Sequence, residues 1–171
     1  MLKECKKDGV LTKEVLSQIP GYRMDAVYAA KGPVVVIECA EHIPCNPCAT
    51  SCPQHAITVG EPITNLPSVD PEKCVGCGMC VAVCPGLAIF LLNAHFAEGR
   101  GSLTFAYEYL PVPKKGDIVR AVNRVGEYVC DAVVEKVVCV PAYDQTRVMT
   151  ISFPVEYLEE VRAIERKKGA D

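Results

Sequence analysis

A 171-residue chain that is half apolar, with a net charge of −3, can bury a sizeable core and lacks the basic excess that nucleic-acid binding requires. No apolar run approaches the roughly 20 residues that span a bilayer, and Met1 to Gly9 is Lys-rich without the apolar segment of a signal peptide. The eleven cysteines are odd in number and metal-like in spacing, which argues against a disulfide framework and for a reducing, cytoplasmic setting in an anaerobic cell.

Residues 1–33 read as an N-terminal extension. Lys3 to Lys7 is a charged start around Cys5, expected to be a surface thiol. Thr12 to Ile19 is predicted as a short helix, with Thr12 as N-cap, Glu14 in the first turn, and Val15, Leu16 and Ile19 on one face. Pro20-Gly21 ends it. Tyr22 to Ala30 is expected as a strand or extended connector. Gly32-Pro33 turns the chain into Val34 to Ile37, a β-branched strand that leads directly to Cys39.

The chain then enters its most informative stretch. Cys39, Cys45, Cys48 and Cys52-Pro53 form a C-x5-C-x2-C-x3-C-P run. Cys74, Cys77, Cys80 and Cys84-Pro85 form a second, C-x2-C-x2-C-x3-C-P, which is the bacterial iron–sulfur spacing. Each iron of a cubane takes one thiolate, and closely spaced cysteines can wrap a single loop around three irons. The Cys-Pro that follows lies past the loop and points away, so it serves the other cluster. The assignment is Cys39, Cys45, Cys48 and Cys84 to a first [4Fe–4S] cluster, and Cys52, Cys74, Cys77 and Cys80 to a second. Paired zinc ribbons and a [3Fe–4S] centre in the altered first loop are the alternatives. His42 lies in the long first loop with no iron left for it to ligate, His55 is expected on a helical surface, and His95 lies at a boundary.

Around these runs, Gln54 to Ala56 reads as a helical turn, Ile57 to Val59 and Leu66 to Val69 as short strands, Met79 to Val83 as a helix and Ala88 to Leu92 as a closing strand. This is a pseudo-twofold β-loop-α-β repeat of about 35 residues. Residues 34–96 are therefore taken as one cluster-bearing domain, with a boundary at the polar stretch Asn93 to Gly101. Pro44 and Pro47 donate no N–H, and Glu38 and Glu41 are acidic, so the first cluster is expected at the lower potential; Gly76 and Gly78 allow close backbone approach at the second.

From residue 102 to 171 the pattern is β. Leu103 to Leu110, Ile118 to Arg124, Tyr128 to Val140 (bent or split near Glu135) and Arg147 to Phe153 are predicted strands of a small antiparallel barrel or sandwich. Pro154 is expected to open a final helix over Val155 to Lys168. Cys130 and Cys139 are expected as buried small hydrophobes, with a redox or metal pair as the alternative. The fold class is thus α+β, a two-cluster domain plus a small antiparallel β module with a C-terminal helix.

Residues from about Val34 to Leu92, and most closely Val69-Asp70-Pro71-Glu72-Lys73-Cys74-Val75-Gly76-Cys77-Gly78-Met79-Cys80-Val81-Ala82-Val83-Cys84-Pro85, resemble a bacterial-type two-cluster ferredoxin. The first run departs from that family in the five residues between Cys39 and Cys45. The resemblance implies two [4Fe–4S] clusters and electron transfer without bond-making. The layout is also similar to the small iron–sulfur subunits of FAD-dependent amino-acid and amine dehydrogenases, which implies a flavoprotein partner and a hetero-oligomer. No G-x-G-x-x-G or P-loop motif is present beyond the cysteine runs. A stand-alone ferredoxin with an accessory β domain and a nucleic-acid-binding protein with structural clusters are the other classes considered, with a Cys130/Cys139 reductase behind them.

Overall fold

Val34–Ile37 form strand β1, and all four residues are buried. Period-2 alternation sends Val34 and Val36 to one apolar core and Val35 and Ile37 to another, so this strand is covered on both faces. The computed structural model describes residues 9–166. Cys5 and the last residues of the expected C-terminal helix lie outside that range.

In chain order the elements are helices α1 (Lys13–Leu16) and α2 (Met24–Ala29), strand β1, α3 (Pro47–Thr50), β2 (Ile57–Thr58), β3 (Ser68–Val69), α4 (Met79–Val83), β4 (Ile89–Ala97), β5 (Arg100–Tyr107), β6 (Ile118–Val122), β7 (Tyr128–Val138), β8 (Arg147–Pro154) and β9 (Ala163–Ile164). Seven strands form one sheet in the order β1-β4-β5-β8-β7-β6-β9, and β2 pairs with β3 separately. Every pairing is antiparallel.

The sheet separates two layers. On one face Leu92, Leu103, Phe105, Met149, Ile151 and Phe153 build the larger core, together with Val27 of α2. On the other, Ile89, Leu91 and Val148 pack beneath α3, α4 and the cysteine loops. Strands β1 and β4 thus serve the cysteine-bearing layer and the large core together. Strand β4 runs through Ala97, beyond the expected closing strand, and pairs with β5 across the anticipated boundary.

Several local expectations agree with the structure. Thr12 Oγ1 accepts from the Val15 N–H at 3.4 Å and caps α1. Strand β7 changes register between Val134 and Lys136, where the bend at Glu135 was expected.

Two expectations are corrected. Residues 22–30 contain helix α2 in place of a strand or extended connector. Its Arg23–Asp25 ion pair sits at the start and Val27 buries against the large core, so one buried side chain and an ion pair across the first turn outweigh the mixed local propensity. The final helix expected from Val155 is also absent over the described residues: a 3-10 turn at Val155–Tyr157 is followed by β9. Strand β6 offers an unpaired edge, and the chain pairs with it through β9, extended by Arg162 N–H to Val122 O at 2.9 Å and Glu165 N–H to Arg120 O at 2.8 Å. Leu158, Val161 and Ile164 still bury as an apolar set in the large core.

A buried ion-pair group ties this C-terminal segment to β1. Glu38, one residue past β1, is on the large-core side and is 6% exposed. Its carboxylate accepts from Arg124 Nη2 (2.6 Å) and Nε (2.9 Å) and from Arg162 Nε (2.6 Å). Arg162 also donates to the carbonyls of Leu158 and Val161, and Arg124 to that of Glu159. Burial alone would raise the Glu38 pKa, but hydrogen bonds and charge from the two guanidiniums hold it below the usual carboxylate value.

Removing the acid would strand two buried cations. Glu38→Ala is expected to destabilise the protein by about 3–5 kcal/mol, read as a lower denaturant midpoint. Arg124→Ala is expected to cost less, because its side chain is 17% exposed against 4% for Arg162.

Candidate metal centre

The backbone explains which cysteines meet. After each Cys-Pro pair the chain makes the same turn: His55 and Leu87, each three residues past the cysteine, take positive φ of 49° and 52°. Each N–H bonds back to the carbonyl of Cys52 or Cys84. The next residue's N–H then donates to the thiol sulfur, Ala56 to Cys52 Sγ at 3.3 Å and Ala88 to Cys84 Sγ at 3.4 Å. The same alanines accept at their carbonyls from the opposite run: Glu38 N–H to Ala88 O and Asp70 N–H to Ala56 O, both 2.8 Å. The first bond carries Cys39 to Cys84, and the second carries the start of the second run to Cys52.

Two groups of thiols result. Cys52, Cys74, Cys77 and Cys80 line one cavity together with Gly76, Gly78 and Ile57. Cys80 is buried there, and burial, with the neighbouring Cys74, Cys77 and Cys52 sulfurs, pushes its thiol up to about 12. In the first group, burial pushes the Cys48 thiol up to about 11, with repulsion from Cys84, Cys39 and Cys45 adding to it. Burial likewise raises Cys39, with Cys84 and Cys45 among its charged neighbours. Thiolates gathered in this way lose hydration and repel one another, an unfavourable arrangement that bound cationic iron would reverse.

The donor set fits a cluster. Thiols alone make up each group, with N–H donors aimed at Cys52 and Cys84. The hydroxyl of Ser51, beside Cys52, is buried with no hydrogen-bond partner among the described residues, and cluster sulfide would accept from it. A single zinc ion draws its thiolates to about 2.3 Å from one point; among the described residues no three Cys, His, Asp or Glu side chains gather around one ion.

The second loop is shaped by glycine. Gly76 has φ +65°, and a Cβ there would lie 2.6 Å from Pro33 Cγ and 2.9 Å from Pro33 O. Gly78 has φ +83° and sits beneath the Tyr143 hydroxyl, which donates to Cys77 O at 3.1 Å. Helix α1 reaches the other run, with Leu16 and Ile19 packing on Ala40 beside Cys39.

Other candidates resolve differently. His42 is exposed, and its Nδ1 is 3.1 Å from the Thr64 carbonyl, so it ties the first loop to the connector. His55 is an exposed turn residue, not a helical one. His95 Nε2 is 3.0 Å from the Tyr28 carbonyl. Cys130 is buried in the large core as expected. Cys139 is exposed, contrary to expectation, and its thiol donates weakly to the Gln145 carbonyl at 3.7 Å. It lies just past the end of β7, while Cys130 is near the start. That separation is on the order of 30 Å along the strand, which rules out a redox pair. Glu38 adds no negative charge to the first loop, because it is on the opposite face of the sheet and paired to two arginines. The charge argument for a lower first-cluster potential therefore rests on Glu41 alone.

Sequence reading passed over Tyr143, Ser51 and Arg162. Nothing local marks Tyr143 and Arg162, since each acquires its role from a segment distant in the chain, whereas Ser51 is marked only by its place beside Cys52.

Comparison with known proteins agrees with this chemistry. A family model described as "4Fe-4S dicluster domain" matches residues 43–88, which leaves Cys39 outside the match. Over 38 residues, 22% of the chain, it is 55% identical to one of the subunits of a Na+-translocating ferredoxin:NAD+ oxidoreductase complex of Acetobacterium woodii. It is 39% identical over 61 residues (36% of the chain) to an uncharacterized ferredoxin of Methanocaldococcus jannaschii. Identity is also 39% over 54 residues (32% of the chain) to a polyferredoxin-like subunit of an aliphatic sulfonate oxidoreductase of Pyrococcus furiosus. The matches cover 11%, 36% and 28% of those proteins' own lengths. No solved structure matches the chain. From the spacing of its cysteines, their gathering on one face of the sheet and the family match, the chain carries a ferredoxin-type domain of the 4Fe-4S dicluster kind, built for iron–sulfur chemistry.

Proposed function

We propose that this chain is the electron-transfer subunit of a multi-subunit oxidoreductase, relaying single electrons between a flavoprotein partner and another carrier through two [4Fe–4S] clusters. Cys39, Cys45, Cys48 and Cys84 hold one cluster, and Cys52, Cys74, Cys77 and Cys80 the other. What supports the reading is that Cys52, Cys74, Cys77 and Cys80 line one cavity, while Cys48 has Cys39, Cys45 and Cys84 as its charged neighbours. A cluster ligated by four thiolates supplies one-electron chemistry and leaves no iron open to substrate.

The chain's own residues bind and tune. The Ala56 and Ala88 N–H groups donate to the Cys52 and Cys84 sulfurs, which favours the reduced state, and the Ser51 hydroxyl, unpartnered among the described residues, would donate to a cluster sulfide. Buried Cys48 and Cys80 face the protein interior, whereas Cys77 is exposed beside Val75, itself 63% exposed. Cys77 therefore marks the side on which a carrier can come close.

Support for a subunit role comes from the relatives named as parts of oxidoreductase complexes. The proposed functional division is 1–33 as an extension, 34–96 as the cluster-bearing unit and 102–171 as the contact-making part, although the last two share a sheet. Among the described residues no helix is long and apolar enough to cross a membrane. A reducing cytoplasm would keep the eight thiols available for iron.

Anaerobic purification of the chain with its native partners is expected to recover a flavoprotein in fixed ratio and about eight irons per copy. Recovery of the chain alone, fully loaded, would favour the stand-alone ferredoxin. Cys80→Ser and Cys39→Ser are each expected to lower the iron content to about half, with loss of one cluster's electron paramagnetic resonance signal. Full iron in Cys39→Ser would remove that residue from the ligand set. Gly76→Ala, which puts a methyl group against Pro33, is expected to deplete the second cluster and spare the first.

A further inference from the structure

Beside the second cysteine loop lies a solvent-open cleft of about 140 Å³ that electron transfer does not require. Its floor is the sheet face formed by β5, β8 and β7. Beneath the cysteine loops that face carries aliphatic side chains such as Val148, but here it turns polar, with Ser102, Thr104 and Thr150. All three are more than nine-tenths buried. Register explains their grouping, since Thr104 faces Thr150 and Thr150 faces Lys136 across neighbouring strands. The Thr104 and Thr150 hydroxyls are 2.8 Å apart, and one donates to the other. The acceptor's own O–H then has no protein acceptor among the described residues and is free to donate into the cleft.

Lys136 is the only charged side chain in the lining, and no carboxylate is present there. Among the described residues Lys136 forms no ion pair. At the far wall stand Cys77 and Tyr143, whose hydroxyl donates to the Cys77 carbonyl. A cleft with one cation, several hydroxyl donors and no acid selects a small anion. Its volume is near that of a cavity able to hold a single ring.

We propose that this cleft binds a small oxyanion, a carboxylate or a phosphate, held by Lys136 and the Ser102, Thr104 and Thr150 hydroxyls. Binding itself does not depend on the electron-relay reading. Its consequence for the neighbouring Cys52/Cys74/Cys77/Cys80 centre does: an anion there disfavours an added electron and lowers the potential.

The test is calorimetric titration of the anaerobically purified, iron-loaded chain with acetate and, separately, inorganic phosphate. Saturable one-to-one binding of either probe is expected. Lys136→Met should weaken it at least ~tenfold, the scale of a charge-assisted hydrogen bond, and Thr150→Val should weaken it less. Lys115→Met, an exposed lysine outside the cleft, should leave it unchanged. Preference for phosphate or for acetate identifies the class of oxyanion. Absence of saturable binding to a chain with full iron content, or equal binding by Lys136→Met, overturns the proposal. A low iron count with binding intact would instead count against the cluster reading.

Discussion

The Glu38 carboxylate, held between Arg124 and Arg162, fixes the end of β1, and the geometry of the thiols follows from that end. Glu38 and Cys39 are consecutive, so the pleat sends them to opposite faces. Anchoring the acid in the rim of the large core therefore aims the thiol at the other layer. The Glu38 N–H also bonds to Ala88 O, which brings Cys39 against the turn after Cys84. One residue thus locks the first thiol group from both directions. Two arginines and one acid leave a net positive charge buried on that side, which is tolerated because the guanidiniums also donate to the carbonyls of Leu158, Glu159 and Val161.

This arrangement alters what the chain outside the cysteine runs is for. Strands β1 and β4 are shared between the cysteine layer and the large core. Helix α1 shelters the segment around Ala40, and the segment after Pro154 supplies Arg162 to the ion-pair group. Residues far from the cysteines thereby help to position the loops that gather them. Over the central strands β5, β8 and β7, where Cys77 is exposed, the polar cleft opens to solvent.

The backbone after the last cysteine is nearly the same in the two runs, although the loops before it differ. Identical turns follow Cys52 and Cys84, with equivalent N–H donors and equivalent cross-bonds to Asp70 and Glu38. The three extra residues before Cys45 are absorbed in an exposed loop tied down by His42 to Thr64 O. Loop length can vary there because only the sulfur positions are constrained, and an added exposed loop carries a small closure cost.

Much of the candidate site was legible in the sequence, because metal ligation depends on residue type and short spacing, both of which are local. The Cys-Pro runs, Gly76 and Gly78, the β-branched β1 and the cap at Thr12 all carry their meaning within a few residues. The large sheet's strands were also visible from their alternation. What only the tertiary structure decided depends on distant partners. Residues 155–164 have a helix-like apolar spacing but form a 3-10 turn and then strand β9, because the unpaired edge of β6 satisfies the backbone from Arg162 onward while Leu158, Val161 and Ile164 still bury. Glu38 reads as a negative charge beside a cluster, and it became a paired anion on the opposite face only because Arg124 and Arg162 reach it from 86 and 124 residues away. Cys139 reads as a strand hydrophobe, yet β7 ends one residue before it. Local pattern sets what a residue can do, and long-range pairing sets what it meets.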